Sequence, residues 1–323
     1  MAVYHIKQLD RESDKDYANW KMLLNSSFGS TIFHNPDFLA YHCNRFKEHH
    51  LGVYNGDTLM GVMPMALFEE NGKTIAKSPY GASYGGFVFN RVLNYSDSKK
   101  IVTEFKEYLK TNSIHEIIIT PPLPIYYSTY SETFLFALLQ EGFKIINSDI
   151  TSVIDISEND LGKNTFTSRA RNMSRKAIKA GVTCHFDAGI DDFWLLMSKT
   201  FIKHGTKPTH TFENWKWLME NLPGMIWCDV AYVRNIPIAG IGHFKINNLT
   251  DSSFYLCNDL EYQDTQALSL LICEILKNAQ HQGYKWFDFG TSSVNMVARE
   301  NIFSFKESFG SVGLFRSTYK VEL

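Results

Sequence analysis

Two groups of side chains in this 323-residue chain are of types that chemistry can use. The first is cationic. Arg169, Arg171, Arg175, Lys176 and Lys179 lie in a stretch whose pattern predicts a helix from about Asn164 to Ala180, ended by Gly181. Arg171, Arg175 and Lys179 recur at i, i+4 and i+8 and share one face. Ala170, Met173, Ala177 and Ala180 share another, suited to packing. Thr165 to Ala180 contains no Asp or Glu, so these cations have no carboxylate partner on their own helix. Guanidinium forks suit phosphate or carboxylate oxygens; a solvated basic face is the alternative. The second group centres on Lys306, expected in a loop between Phe305 and Phe309 just before Gly310. A lysine held between aromatics is a fixed positive donor for an oxygen on which negative charge develops. Lys306 also reads as a surface lysine with its stem on apolar neighbours, paired with Glu307.

The elements that must hold these side chains read as one small fold written twice. Gly52 to Val62 and Ala231 to Ile241 both run strand, polar turn, returning strand, with a glycine (Gly61, Gly240) one step into the return. Ser113 to Thr120 follows a helix as Gly283 to Gly290 does. The two matches are offset by 179 and 170 residues, taken from Met60 to Ala239 and from Ile114 to Tyr284. Near-equal offsets mean that the order of elements repeats. The first half is expected to run strand (Val3 to Gln8), two helical stretches, three β-prone runs with Asn55-Gly56 and Asn71-Gly72 at the turns, then helix, strand and helix. The second half repeats this scheme, and its helix from Thr265 to Gln282 shows apolar i, i+3, i+4 spacing at Leu268, Leu271, Ile272, Ile275, Leu276 and Ala279. The expected division is a domain of residues 1–148 and another of residues 149–323, with a ligand cleft between the copies.

Composition narrows the function classes. A hydrophobic content of 44% with 14% aromatics is enough for two cores. The formal net charge of −2 gives the whole molecule no general attraction for nucleic acid, so a polyanion site has to be local. Five scattered cysteines without a CxxC pair fit reduced thiols in a cytoplasmic protein better than disulfides or zinc. Met1 to Asp10 lacks the apolar core of a signal peptide, and no apolar run approaches the ~20 residues of a membrane span. HExxH, GxSxG, Walker and GxGxxG motifs are absent from the sequence. No metal is expected.

Strand, two helices, antiparallel meander, helix, strand and a final element is the order of the GNAT acyltransferase fold. The expected fold class is α/β (α+β): two tandem GNAT-like domains, each with a mixed, mostly antiparallel central sheet flanked by helices. The chain resembles the FemABX-like aminoacyltransferases and GNAT-superfamily relatives with a BioF2-like acetyltransferase domain. The resemblance is carried by Phe33-His34-Asn35-Pro36-Asp37-Phe38, Ser83-Tyr84-Gly85-Gly86, Arg169 to Val182, Phe287-Asp288-Phe289-Gly290 and Phe305 to Gly310, in the family's order and nearly end to end.

That resemblance implies an acyltransferase that moves an acyl or aminoacyl group onto an amine of a bacterial cell-envelope, peptidoglycan or polysaccharide-related precursor. It matches Lys306 to the catalytic lysine, Arg169, Arg171 and Arg175 to a substrate-binding helix, and Tyr255 to a tyrosine near the cleft. Tyr255 also reads as core, and Asp288 as a structural hydrogen-bond acceptor. His42 stands where many members have a lysine and Tyr84-Gly85-Gly86 replaces their Arg-Gly-Pro, so the resemblance places Tyr84 and His42, with Tyr255, among the substrate-binding residues; Asn90 falls near an expected acid. These departures affect recognition of a nucleotide-linked acceptor; an anionic small molecule is the broader expectation. The donor is either aminoacyl-tRNA or acyl-CoA, neither permanently bound. Asn258 to Gln266, the stretch expected to meet a coenzyme A diphosphate, has no glycine and three carboxylates, which opposes ordinary coenzyme A binding. Two alternatives stay open: a coenzyme A-dependent N-acetyltransferase with an atypical donor site, and a non-catalytic binding or structural protein on a degenerate GNAT fold.

Overall fold

The computed structural model describes residues 3–157, 160–205 and 207–323, the side chains of residues 203 and 204 apart. Internal contacts divide the chain into two compact units, Met1–Asp149 with Phe315–Leu323, and Ile150–Leu314.

In the first unit, β1 (Tyr4–Leu9) leads to α1 (Asp14–Ser26) and the short α2 (Pro36–Ala40). Asn35 caps α2 by accepting from the Asp37 amide, and Pro36 takes the first helical position, where its missing N–H is harmless. The strands β2 (Lys47–Glu48), β3 (His50–Asn55), β4 (Thr58–Met63), β5 (Ala66–Glu70), β6 (Lys73–Ser78) and β7 (Val88–Phe89) follow. Then come α3 (Tyr95–Thr111), β8 (Glu116–Ile119) and α4 (Thr133–Gln140). One sheet has the order β1-β3-β4-β7; β8 belongs to another, pairing in parallel with β6, which pairs with β5. The apolar face of α3 (Ile101, Val102, Phe105, Leu109) is fully buried in a core that includes Val53, Ile117 and Ile119. Each such side chain contributes about 1.5–3 kcal/mol on burial.

β9 (Lys144–Asp155) carries the chain into the second unit. The expected long basic helix is shorter there. Residues Leu161–Thr165 form a separate wide turn, and α5 spans Ser168–Lys179. The break has a tertiary cause. Phe166 is buried, and Thr167, extended at the N-cap, uses both its amide (3.2 Å) and its hydroxyl (2.7 Å) on the Ser308 carbonyl. The same hydroxyl accepts from the Ala170 amide and so starts the helix. β10 (Val182–His185), α6 (Ile190–His204) and α7 (Phe212–Asn221) follow. The meander β11 (Ile226–Val233), β12 (Ile236–Lys245) and β13 (Thr250–Asn258) comes next. α8 (Ala267–His281), β14 (Trp286–Thr291), the hairpin β15 (Ser293–Val294) and β16 (Val297–Ala298), and α9 (Glu300–Glu307) complete it. The sheet order in this unit is β10-β11-β12-β13-β14-β9. Leu271, Ile272, Ile275 and Leu276 of α8 pack into a core with Ala231, Ile241 and Phe287.

The matched segments are matching elements. β3–β4 and β11–β12 are both antiparallel hairpins, each with a register shift near its turn. The two glycines on the returning strands make room for aromatic rings: a Cβ on Gly61 would meet Phe89 at 2.4 Å, and one on Gly240 would meet Phe193 at 3.1 Å. Finally β17 (Val312–Glu322) takes the chain back, and Tyr319 to Glu322 pair antiparallel with β8 in the first unit. The C-terminal residues therefore belong with the first unit, because β8 has a free ladder edge that they fill.

Candidate active site

The second unit opens where two of its strands part. β13 and β14 run parallel, and their ladder covers only Thr250 to Ser252 against Trp286 to Asp288. Beyond it, Ser253, Phe254, Leu256 and Asn258 of β13 and Phe289 and Thr291 of β14 line a cavity of about 610 Å³. Its other walls come from Arg169 and Met173 of α5, the first turn of α8 (Ala267, Leu268, Ser269), and Asn301, Ile302, Phe305 and Lys306 of α9. Spreading strands leave main-chain and side-chain groups without ladder partners, so the opening is both apolar and polar. The Ser253 hydroxyl is buried and makes no hydrogen bond.

Lys306 is the most constrained cation in it. It sits in the last turn of α9 rather than in a loop, and is only 4% exposed. Its Nζ donates to the carbonyls of Gly290 and Thr291, each at 2.8 Å. Those carbonyls are presented by a bulge: Gly290 has φ +74°, its amide donates to Asp288 Oδ1 at 2.7 Å, and the register with β9 slips between Asp288 and Thr291. An ammonium has three N–H donors, so one remains for a ligand oxygen. Burial pushes its pKa down to about 8, against the opposing pull of Asp288. Phe309 anchors the far side, 5.3 Å from the ring of Phe305 and 6.1 Å from that of Phe289. Gly310 then turns at φ +90° against the Thr165 carbonyl. The Thr167–Ser308 bonds and this close approach fix the start of α5 on the end of α9, which brings Arg169 and Lys306 to one cavity.

The other anticipated residues go elsewhere. Arg171 turns back and donates to the Phe166 and Gly162 carbonyls, bracing the turn before its helix. Arg175 is exposed, with Asn172 Oδ1 at 3.3 Å, and does not line the cavity. Tyr255 is buried on β13 outside the lining; its hydroxyl accepts from the His210 amide at 3.2 Å, and its ring lies 5.2 Å from that of Trp215. Tyr84 and His42 are core residues of the first unit. Tyr84 packs 5.2 Å from Tyr126 beneath the Arg316 guanidinium, and His42 packs 4.0 Å from Tyr41 and 5.4 Å from Tyr80.

Sequence reasoning missed the residue that pairs with one carboxylate of the acidic stretch. Of its three carboxylates only Asp259 lines the cavity, and Lys199 of α6 reaches Asp259 Oδ2 at 2.5 Å. That hydrogen bond, outweighing burial, holds Asp259 below the usual carboxylate range. Glu261 and Asp264 are not in the lining, although they flank lining residues Tyr262 and Gln263. No spacing rule links Lys199 to Asp259 across 60 residues. Among the described lining residues there is neither cysteine nor histidine. The Cys257 thiol, nearby on β13, is spent on the Gly240 carbonyl and pushed up by burial.

No family model matches the chain, and no curated protein sequence does. Solved structures do. FemX superposes with a TM-score of 0.73 at 14% identity, covering 99% of this chain and 97% of that one. L-PGS from Bacillus licheniformis gives 0.61 at 12% identity, over 97% and 92% of the two chains. A tandem GNAT protein from the clavulanic acid biosynthesis pathway gives 0.57 at 11% identity, over 99% and 98%. The chain has the fold of these structures, shared with FemX and with the tandem GNAT protein. No helix among the described residues is long and apolar enough to cross a membrane.

Proposed function

We propose that this protein is an acyltransferase that moves an acyl or aminoacyl group onto an amine, with the second unit's cavity as its reaction site. The carrying observation is Lys306: a buried ammonium, tied by two main-chain carbonyls, on the wall of a cavity it shares with Arg169 and the unbonded Ser253 hydroxyl. The amine nitrogen attacks the donor's carbonyl carbon and forms the C–N bond. The carbonyl oxygen takes up negative charge, which the remaining Lys306 N–H stabilises. The C–O or C–S bond to the donor's carrier then breaks, and the proton lost by the amine leaves with the carrier. The fixed carbonyl partners mean that the ammonium need not reorganise as charge appears.

Arg169 is the residue we assign to an anionic part of a substrate; Arg171 and Arg175 act on the helix itself. The donor is an activated ester or thioester, aminoacyl-tRNA or acyl-CoA. The first turn of α8, whose amides favour an anion, and the pairing of Asp259 keep the thioester open. The acceptor class we favour is an amine on a cell-envelope precursor, supported by the Fem-like sequence motifs. The test is mass spectrometry of products from a matrix of donors (acyl-CoA thioesters, charged tRNA) and amine acceptors, with wild type and Lys306→Met. Transfer by wild type and its loss in the variant are expected. Donor and acceptor binding without turnover in any combination would leave a binding protein as the reading.

A further inference from the structure

The first unit has a second opening that the acyl transfer does not use. It is a narrow slot of about 70 Å³. At ~10–15 Å³ per water-sized occupant, it holds roughly five or six heavy atoms. Phe87, Phe89, Leu93, Ile119, Phe134 and Leu138 form apolar walls. Among the described lining residues, Arg91 alone carries a charge. Its side chain is 43% exposed, and its Nη2 donates to Asp97 Oδ2 at 2.9 Å and to the Tyr4 hydroxyl at 2.8 Å. Its Nε and Nη1 make no hydrogen bond to a described residue. Tyr127 also lines the slot, and its hydroxyl has no hydrogen bond to a described residue either.

The location has a structural reason. The slot lies between β7 and the end of β8, strands of different sheets, with α4 against it. The cavity of the second unit lies between β13 and the end of β14, with α9 against it. These are the same places in the repeated order of elements. In both copies the strands part there, but the walls differ: the second copy supplies amides, a lysine and an arginine, the first mostly aromatic and aliphatic surface. An apolar slot with one cation selects an apolar ligand with one negative charge.

We propose that the slot binds a small carboxylic acid of about four to six carbons in all, the three to five carbons of its tail filling the slot among the aromatic rings and its carboxylate standing at the mouth on the half-exposed Arg91. A nucleotide or peptide is too large for it. This reading stands apart from the acyl transfer proposed for the other unit.

Isothermal titration of the full chain with hexanoate and its uncharged counterpart hexan-1-ol tests it. Hexanoate is expected to bind about three- to tenfold tighter, the step that one charge-assisted contact on a partly exposed guanidinium provides. Arg91→Gln removes that difference and leaves hexan-1-ol binding as it was. Val92→Trp and Thr129→Trp, at rim positions, are expected to weaken both ligands at least tenfold without changing the melting temperature. If one variant fails to fold, the other decides. Equal affinity for hexanoate and hexan-1-ol, no binding of either, or unchanged binding in a folded rim variant overturns the proposal.

Discussion

Lys306→Met keeps the side-chain length and removes the ammonium, so it measures whether this charge is buried as the site requires. In the folded protein the pKa of Lys306 lies at about 8, against 10.5 without the fold. That gap corresponds to about 3 kcal/mol of penalty on the charged form. Because the folded value is the lower one, the unfolded chain binds more protons between the two. Below pH 8 the penalty is fully present; it is relieved as pH rises toward 10.5. The unfolding free energy of wild type, relative to Lys306→Met, should therefore rise by about 2–3 kcal/mol from pH 7 to pH 10. Taking the difference cancels the other titrating groups and the pH-independent part of the lost bonds to Gly290 and Thr291. Urea unfolding at matched pH, with m-values compared, gives the number. A flat or falling difference would falsify the burial of this ammonium, and with it the idea of a fixed donor to an oxyanion. The activity arm has the opposite sign. Once a transfer reaction is in hand, kcat/KM should decline through pH 8 as the ammonium is lost. The variant should lack that decline and be about 10²–10³-fold slower, the usual loss of one oxyanion donor.

Three further outcomes follow from the same contacts. Lys199→Ala leaves Asp259 ionised and unpaired on the cavity wall, so KM for an anionic donor should rise while kcat holds; steady-state kinetics with an uncharged donor analogue, unaffected by the change, is the control. Gly310→Ala puts a side chain at φ +90° with its Cβ 2.5 Å from the Thr165 carbonyl oxygen, and should destabilise the second unit by at least about 2 kcal/mol in chemical denaturation. His243 lies buried between Asp229 and Asp251, at 3.3 and 3.1 Å. Burial alone would lower its pKa, but the carboxylates of Asp251 and Asp229 outweigh burial and push it up to about 10. The stability it contributes is present below pH 6.5 and disappears as pH rises through 10. His243→Gln should thus cost about 3–5 kcal/mol at pH 6 and progressively less as pH rises from 6.5 toward 10, read by thermal melts across that range.

The duplication was legible because it rests on local signals. Hairpin turns, a glycine set one step into a strand and the apolar spacing along α8 are properties of neighbouring residues, readable without any distant contact. The aromatic setting of Lys306 was legible for a related reason: Phe305, Phe309 and Gly310 are close to it in sequence. Its helical setting was not, because α9 has few helix signals of its own and is held by contacts between Phe305, Phe309 and Phe289. Arg171 and Arg175 share a helical face in the sequence, yet only Arg169 enters the cavity. Periodicity tells which residues share a face; the direction of that face is set by the Thr167–Ser308 bond, 141 positions apart in the chain. Lys199 and Asp259 show the same limit, as does the final strand, which joins the first unit because β8 has backbone groups to satisfy there. Local order along the chain determined the two-fold repeat. Which charges meet depended on long-range hydrogen bonds and packing, for which a sequence holds no spacing rule.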